Sequence, residues 1–172
     1  GTWHTQPEAG PQNVDWNPHA VVPRMTSVIA HESGVKAAIW ILDKLLQSDV
    51  NRRKLLIEWV RLLMERPSLI EPLGLVQILL KLSQDDSEEV AMSTSLCLAK
   101  LIDFDRDSGM QVCQALMARD EVMVRRAMAD VLTRLFRRLT FDAIPFFDKL
   151  RQDEDENVLA AVSSTSGDLR FL

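Results

Sequence analysis

Sliding the sequence against itself by 34 residues brings apolar columns into register in three successive copies. Leu82, Leu116 and Leu150 coincide, as do Val90, Val124 and Val158. Ile78, Val112 and Phe146 form another column, and Leu79, Cys113 and Phe147 a further one. Leu98 matches Leu132, Leu101 and Leu135 align with Leu169, and Asp86, Asp120 and Glu154 make an acidic column. Agreement of this kind at a single offset marks an internal repeat. No copy is large enough to bury its own apolar face, so the copies must stack and share a core.

Within each copy the apolar spacing is helical. "VKAAIWILDKLL" places Val35, Ile39, Leu42 and Leu46 on one stripe, widened by Ala38, Ile41 and Leu45. "NRRKLLIEWVRLLMERP" continues with Leu55, Leu56, Trp59, Leu62 and Leu63 and stops before Pro67. A third helix should begin near Pro72, since proline is tolerated in a first turn. The acidic column suits the start of each second helix, where unpaired amides and the positive dipole end lie. Small residues at Ser93, Ala127 and Ala161 would let neighbouring helices approach. No stretch alternates with a period of two, so strands are not expected. The expected pairs are 35–47 with 51–66, 72–83 with 87–103, 108–118 with 121–139, and 141–151 with 155–165. The first pair fits the common offset less well than the others.

The repeat length is that of tetratricopeptide units, but their Trp, Leu-Gly, Tyr and Ala-Phe-Pro signature is absent, and the chain has no tyrosine. Instead "DEVMVRRAMADVL" resembles the second helix of a HEAT repeat, with an acidic turn, Val-Arg, alanines and leucine. "AIPFFDKLRQDEDENVLAAV" is similar to a helix–turn–helix junction of that family, and "LVQILLKLSQDDSEEVAMSTSLCLAKLI" has some armadillo character. The resemblance spans about residues 35–165. Ala91 and Leu159 depart from it, standing where the family often carries arginine after valine. It implies an all-α fold, a right-handed α-α superhelix or solenoid of about four HEAT-like helix pairs, with the second helices lining one face.

Composition excludes several functions. The net charge of −5 lacks the basic footprint of a nucleic-acid-binding domain, so such a role would need a local patch. Cys97 and Cys113 each sit in an apolar helical pattern and read as buried free thiols. His4, His19 and His31 are scattered, so neither a zinc site nor an HExxH pair can be assembled. The "DEDE" run at 153–156 lacks the spacing and glycine of a calcium loop. The six glycines form no phosphate-binding loop, and no Ser, His, Asp nucleophile set can be defended. No catalytic residue, metal or cofactor is therefore expected. No segment offers the ~20 apolar residues of a membrane span, and no signal-peptide pattern opens the chain. A cytoplasmic location is the default expectation.

The helix expected over 121–139 is the most charged. Val124, Met128, Val131, Leu132, Leu135 and Leu139 gather on one side, and Arg126, Arg134, Arg137 and Arg138 on the other. Glu121 with Arg125 and Asp130 with Arg134 have the order that favours ion pairs four residues apart. This face reads in three ways: a solvated surface, a groove for an acidic protein segment, or a nucleic-acid contact. The basic stripe does not continue, because the neighbouring unit carries Met92, Lys100 and Asp103 at the matching positions. The expected function is a non-catalytic protein–protein interaction scaffold. Its groove would comprise Glu89, Met92, Lys100, Asp103, Met123, Arg126, Asp130, Arg134 and Arg137. The resemblance also admits a nucleic-acid-binding or modifying protein, or a maturation factor like the bilin lyases.

The two ends complete the expectations. Residues 1–24 hold Pro7, Pro11, Pro18 and Pro23 with Trp3 and Trp16, which favours an extended leader ahead of a repeat domain at 25–172. Trp3 or Trp16 is expected to pack on the first helix pair. The chain starts at Gly1, and Leu169, Phe171 and Leu172 come late. It is therefore expected to be part of a longer protein, or to self-associate through an exposed repeat end.

Overall fold

The computed structural model describes residues 17–28 and 32–169, and within them every regular element is helical, with no strand. The α-helices run in chain order as α1 (Pro18–Val28), α2 (Glu32–Leu46), α3 (Val50–Leu63), α4 (Leu75–Ser83) and α5 (Glu88–Ser93). They continue as α6 (Leu98–Phe104), α7 (Arg106–Met117), α8 (Val122–Leu139), α9 (Ile144–Leu150) and α10 (Glu156–Leu169). Short 3-10 turns occupy Pro67–Leu69, Thr94–Cys97 and Thr140–Ala143.

Packing follows the repeat. Helices α2 and α3, α4 and α5, α7 and α8, and α9 and α10 pack as pairs. The second helices also touch one another in sequence, α3 on α5, α5 on α8, α8 on α10, while α4 packs on α7. The repeat columns are the core: Leu82, Leu116, Leu150, Val90, Val124, Val158, Leu79, Cys113, Phe147, Leu98 and Leu132 are all buried. Ile78 and Phe146 are half-buried and pack against it. Cys97 and Cys113 are free and buried, and burial pushes each thiol up to about 12.

The N-caps set the register of the second helices. They are Asp49 for α3, Ser87 for α5 and Glu121 for α8. For α10, Asp155 accepts from the amides of Asn157 and Val158. Ser87, Glu121 and Asp155 keep the repeat interval. Asp49 stands further away because the 3-10 turn at Pro67–Leu69 and a turn closed by Gly74 lengthen the first connection. Gly74 has φ 63°, a left-handed conformation that glycine adopts without Cβ strain. The acidic column Asp86, Asp120 and Glu154 thus lies one residue before the caps, exposed to solvent. The side-chain capping expected of it belongs to its neighbours Ser87 and Asp155 at α5 and α10, whereas Glu121 makes no side-chain cap bond at α8.

Three further expectations are corrected. Residues 18–24 are helical, not extended. Pro18 opens α1, where its missing N–H is one of the donors a first turn leaves unpaired. Pro23 is then carried inside the helix because Pro18 and Val22 are buried against the remainder, and α1 packs on α3. Trp3 and Trp16 lie outside the described residues. On α2 the buried stripe runs Ala38, Leu42, Leu45, and Ile39 turns outward at 43% exposure. Finally, the single helix expected over 87–103 is interrupted. Ser93 Oγ donates to Glu89 O at 2.8 Å and Thr94 Oγ1 to Ala91 O at 2.7 Å. Such hydroxyl bonds compete with the helical ladder, and the chain tightens into 3-10 over Thr94–Cys97.

Candidate functional site

Arginine–aspartate pairs tie one unit to the next along the turns. Arg53 on α3 donates to both carboxylate oxygens of Asp85, at 2.8 and 3.0 Å, and to Ser48 O. Arg125 on α8 repeats the arrangement with Asp153, at 2.7 and 3.3 Å, and with Asp120 O. Asp85 and Asp153 each also accept the amide two residues on, from Ser87 and Asp155. Burial alone would raise the pKa of Asp153, whose side chain is only 7% exposed. The Arg125 guanidinium and the Asp155 amide outweigh it, and the net shift is downward. In the middle unit Arg119 occupies the aspartate column; it pairs with Glu121 and reaches Ser83 O at 3.3 Å.

These bridges change the charge reading of α8. Glu121 pairs with Arg119 and Arg125 with Asp153, not with each other. Asp130 offers Arg134 its main-chain carbonyl at 3.3 Å rather than its carboxylate. Arg126 grips Asp155 at 2.8 Å, and this hydrogen bond, followed by the Val158 and Asn157 amides, holds Asp155 down to about 2. Arg138 pairs with Asp103 at 3.5 Å. The residues reasoned to form one groove therefore separate into two sets. Glu89 is held by Lys54, Lys100 by Glu65, Asp103 by Arg138 and Arg126 by Asp155. Met92 and Met123 are half-buried, and Asp130 is exposed. Arg134 and Arg137 are exposed and form no ion pair among the described residues; Arg137 lies 5.9 Å from the Phe136 ring centre. Of the nine, Arg134 borders a cavity.

That cavity is a trough of about 150 Å³ between the Thr94–Cys97 turn with α6 on one side and α8 on the other. Its lining is Ser95, Leu96, Ala99, Val131, Arg134 and Leu135. Leu96 is 57% exposed, more than Val50, Phe104, Val122 and Leu159, the other large apolar side chains exposed on this layer among the described residues. The tightened turn that places it there could not be read from the apolar columns, and Leu96 and Ala99 went unnoticed for that reason. Larger cavities lie elsewhere. One of about 410 Å³ is bordered by Glu71, Gln77, Phe104 and Asp105, and one of about 350 Å³ separates α1 from the end of α3. Among the described residues no His, Cys, Asp and Glu cluster could hold a metal ion, and no helix is long and apolar enough to cross a membrane.

Against protein-family models, curated proteins and solved structures, the chain shows no match.

Proposed function

We propose that the chain is a non-catalytic scaffold that binds another protein, built as a right-handed solenoid of HEAT-like helix pairs. The observation that carries this reading is the continuous layer of second helices, α3, α5 with α6, α8 and α10, each packed on the next. A layer assembled this way offers extended surface, not a closed reaction chamber. The trough with exposed Leu96 beside Arg134 supports a protein partner, because apolar anchors and arginine are what such interfaces bury.

The nucleic-acid alternative has less behind it. Arg125, Arg126 and Arg138 are each neutralised by an aspartate, and a phosphate track needs several spaced, available cations. The test pairs two measurements. A candidate partner, purified after capture from the native source, should form a defined complex with the chain in light-scattering chromatography. Anisotropy titrations with duplex and single-stranded DNA at two salt concentrations should show weak binding. Tight binding that falls steeply with salt would replace the scaffold reading with the nucleic-acid one.

A further inference from the structure

Two of the three seams between successive second helices, α3 with α5 and α5 with α8, are built from the same register positions, yet they are chemically opposite. Counting from the caps Asp49 and Ser87, Glu58 on α3 corresponds to Leu96, and Arg61 corresponds to Ala99. Counting from Ser87 and Glu121, Lys100 corresponds to Arg134. In the first seam these positions form a polar lattice. Arg61 donates to Glu58 at 2.8 Å, and Lys100 donates across the seam to Glu65 at 2.7 Å and to Arg61 O at 3.4 Å. In the second seam the carboxylate and guanidinium are replaced by Leu96 and Ala99. What remains is an apolar floor with Arg134 at its edge.

Arg134 also lacks the partner that its counterpart has. Lys100 reaches back to Glu65, sixteen positions after the Asp49 cap; the matching residue in the next unit is Asp103. Arg138 holds Asp103, so Arg134 is left with a main-chain carbonyl of its own helix. Arg137, one turn further along α8, is likewise without a carboxylate among the described residues. The local surplus is cationic on a chain whose net charge is −5.

From this contrast we infer that the second seam is a docking site for an acidic peptide segment of a partner protein. An aliphatic side chain of the segment enters between Leu96, Ala99 and Val131, and a carboxylate about one helical turn away pairs with Arg134. The inference deepens the scaffold reading and rests on it. An aliphatic side chain removes the exposed face of Leu96 from water, and the carboxylate supplies the bidentate partner that a guanidinium fork fits. The first seam offers no such apolar floor, because Glu58 and Arg61 pair with each other along α3 and Lys100 crosses the groove to Glu65.

A random short-peptide display library selected on the full chain tests both levels. Enriched peptides should carry an aliphatic residue with Asp or Glu nearby, and synthetic copies should bind in anisotropy titrations. Leu96→Asp and Arg134→Gln should each weaken them by about tenfold or more. Lys81→Glu, exposed on α4 in the other helix layer, should leave affinity unchanged. Circular dichroism melts of the variants separate lost binding from lost folding, and both substituted side chains are exposed. Enriched peptides that are insensitive to Leu96→Asp and Arg134→Gln would leave the scaffold reading standing and overturn the seam as its site. A library that yields no binder would overturn both. Binding of a single-stranded oligonucleotide that outcompetes the peptides and disappears with Arg134→Gln would assign the seam to nucleic acid instead.

Discussion

Asp153 and Asp86 look alike in the sequence, two acids beside a turn, and the structure gives them opposite importance. Asp153 is half-buried, held between Arg125 and the Asp155 amide, whereas Asp86 faces water. Asp153→Ala should cost about 2–3 kcal/mol in urea unfolding, since it strands a half-buried guanidinium and an amide. Asp86→Ala should stay within about 0.5 kcal/mol. Asp155 adds a pH signature. Its carboxyl is held at about 2 by Arg126 and by the amides it caps. A depressed carboxylate contributes stability that is fully present above its unfolded value of about 4. That contribution is lost as the pH falls through the folded value. Melting temperature should therefore drop between pH 4 and pH 2 more steeply in the parent than in Asp155→Asn, whose cap cannot be protonated. Parallel curves for the two proteins would remove Asp155 from the acid transition.

At the scale of the elements, the approach of α7 to α6 is marked by a glycine. A Cβ on Gly109 would collide with the Ile102 side chain and stand 3.1 Å from Ile102 Cα, so α7 can lie against α6 only without one. Gly109→Ala should destabilise by about 1–3 kcal/mol despite the better helix propensity of alanine, and chemical denaturation will show the sign. The end of α8 makes a second case. Thr140 adopts φ 50°, which a β-branched residue tolerates poorly. Arg106 closes the helix there, donating to Arg138 O and Leu139 O. Much of this element layout was legible beforehand. The columns through Leu82, Val90 and Leu98 named the core because burial repeats with the helix period. What escaped were features set by contacts between units. The 3-10 turn at Thr94–Cys97 depends on hydroxyl bonds, and the pairing of Arg125 with Asp153 depends on a stacking geometry that no local window contains. The candidate site was least legible, because all nine of its residues follow from facing direction alone. Facing direction does not report that Lys100 or Arg126 already has a partner.

Across the whole molecule the two ends of the second-helix layer are finished differently. Arg53, Ala91 and Arg125 occupy the position four residues after a cap: Arg53 and Arg125 pair there with an aspartate of the following unit, and Ala91 is fully buried. On α10 that position is Leu159, which is 38% exposed. At the other end α1 packs on α3, and Val22 is buried. A carboxylate placed under a covering helix must be buried or break that contact, whereas one on an exposed face stays in water. Val22→Asp should therefore lower the melting temperature by several degrees, since burying an unpaired carboxylate costs on the order of 2 kcal/mol or more. Leu159→Asp should leave the melt within about a degree, as surface changes do. Differential scanning calorimetry of the two variants decides the matter. A large loss at Leu159 with none at Val22 would mean that α10, not α1, is the end whose cover the fold depends on.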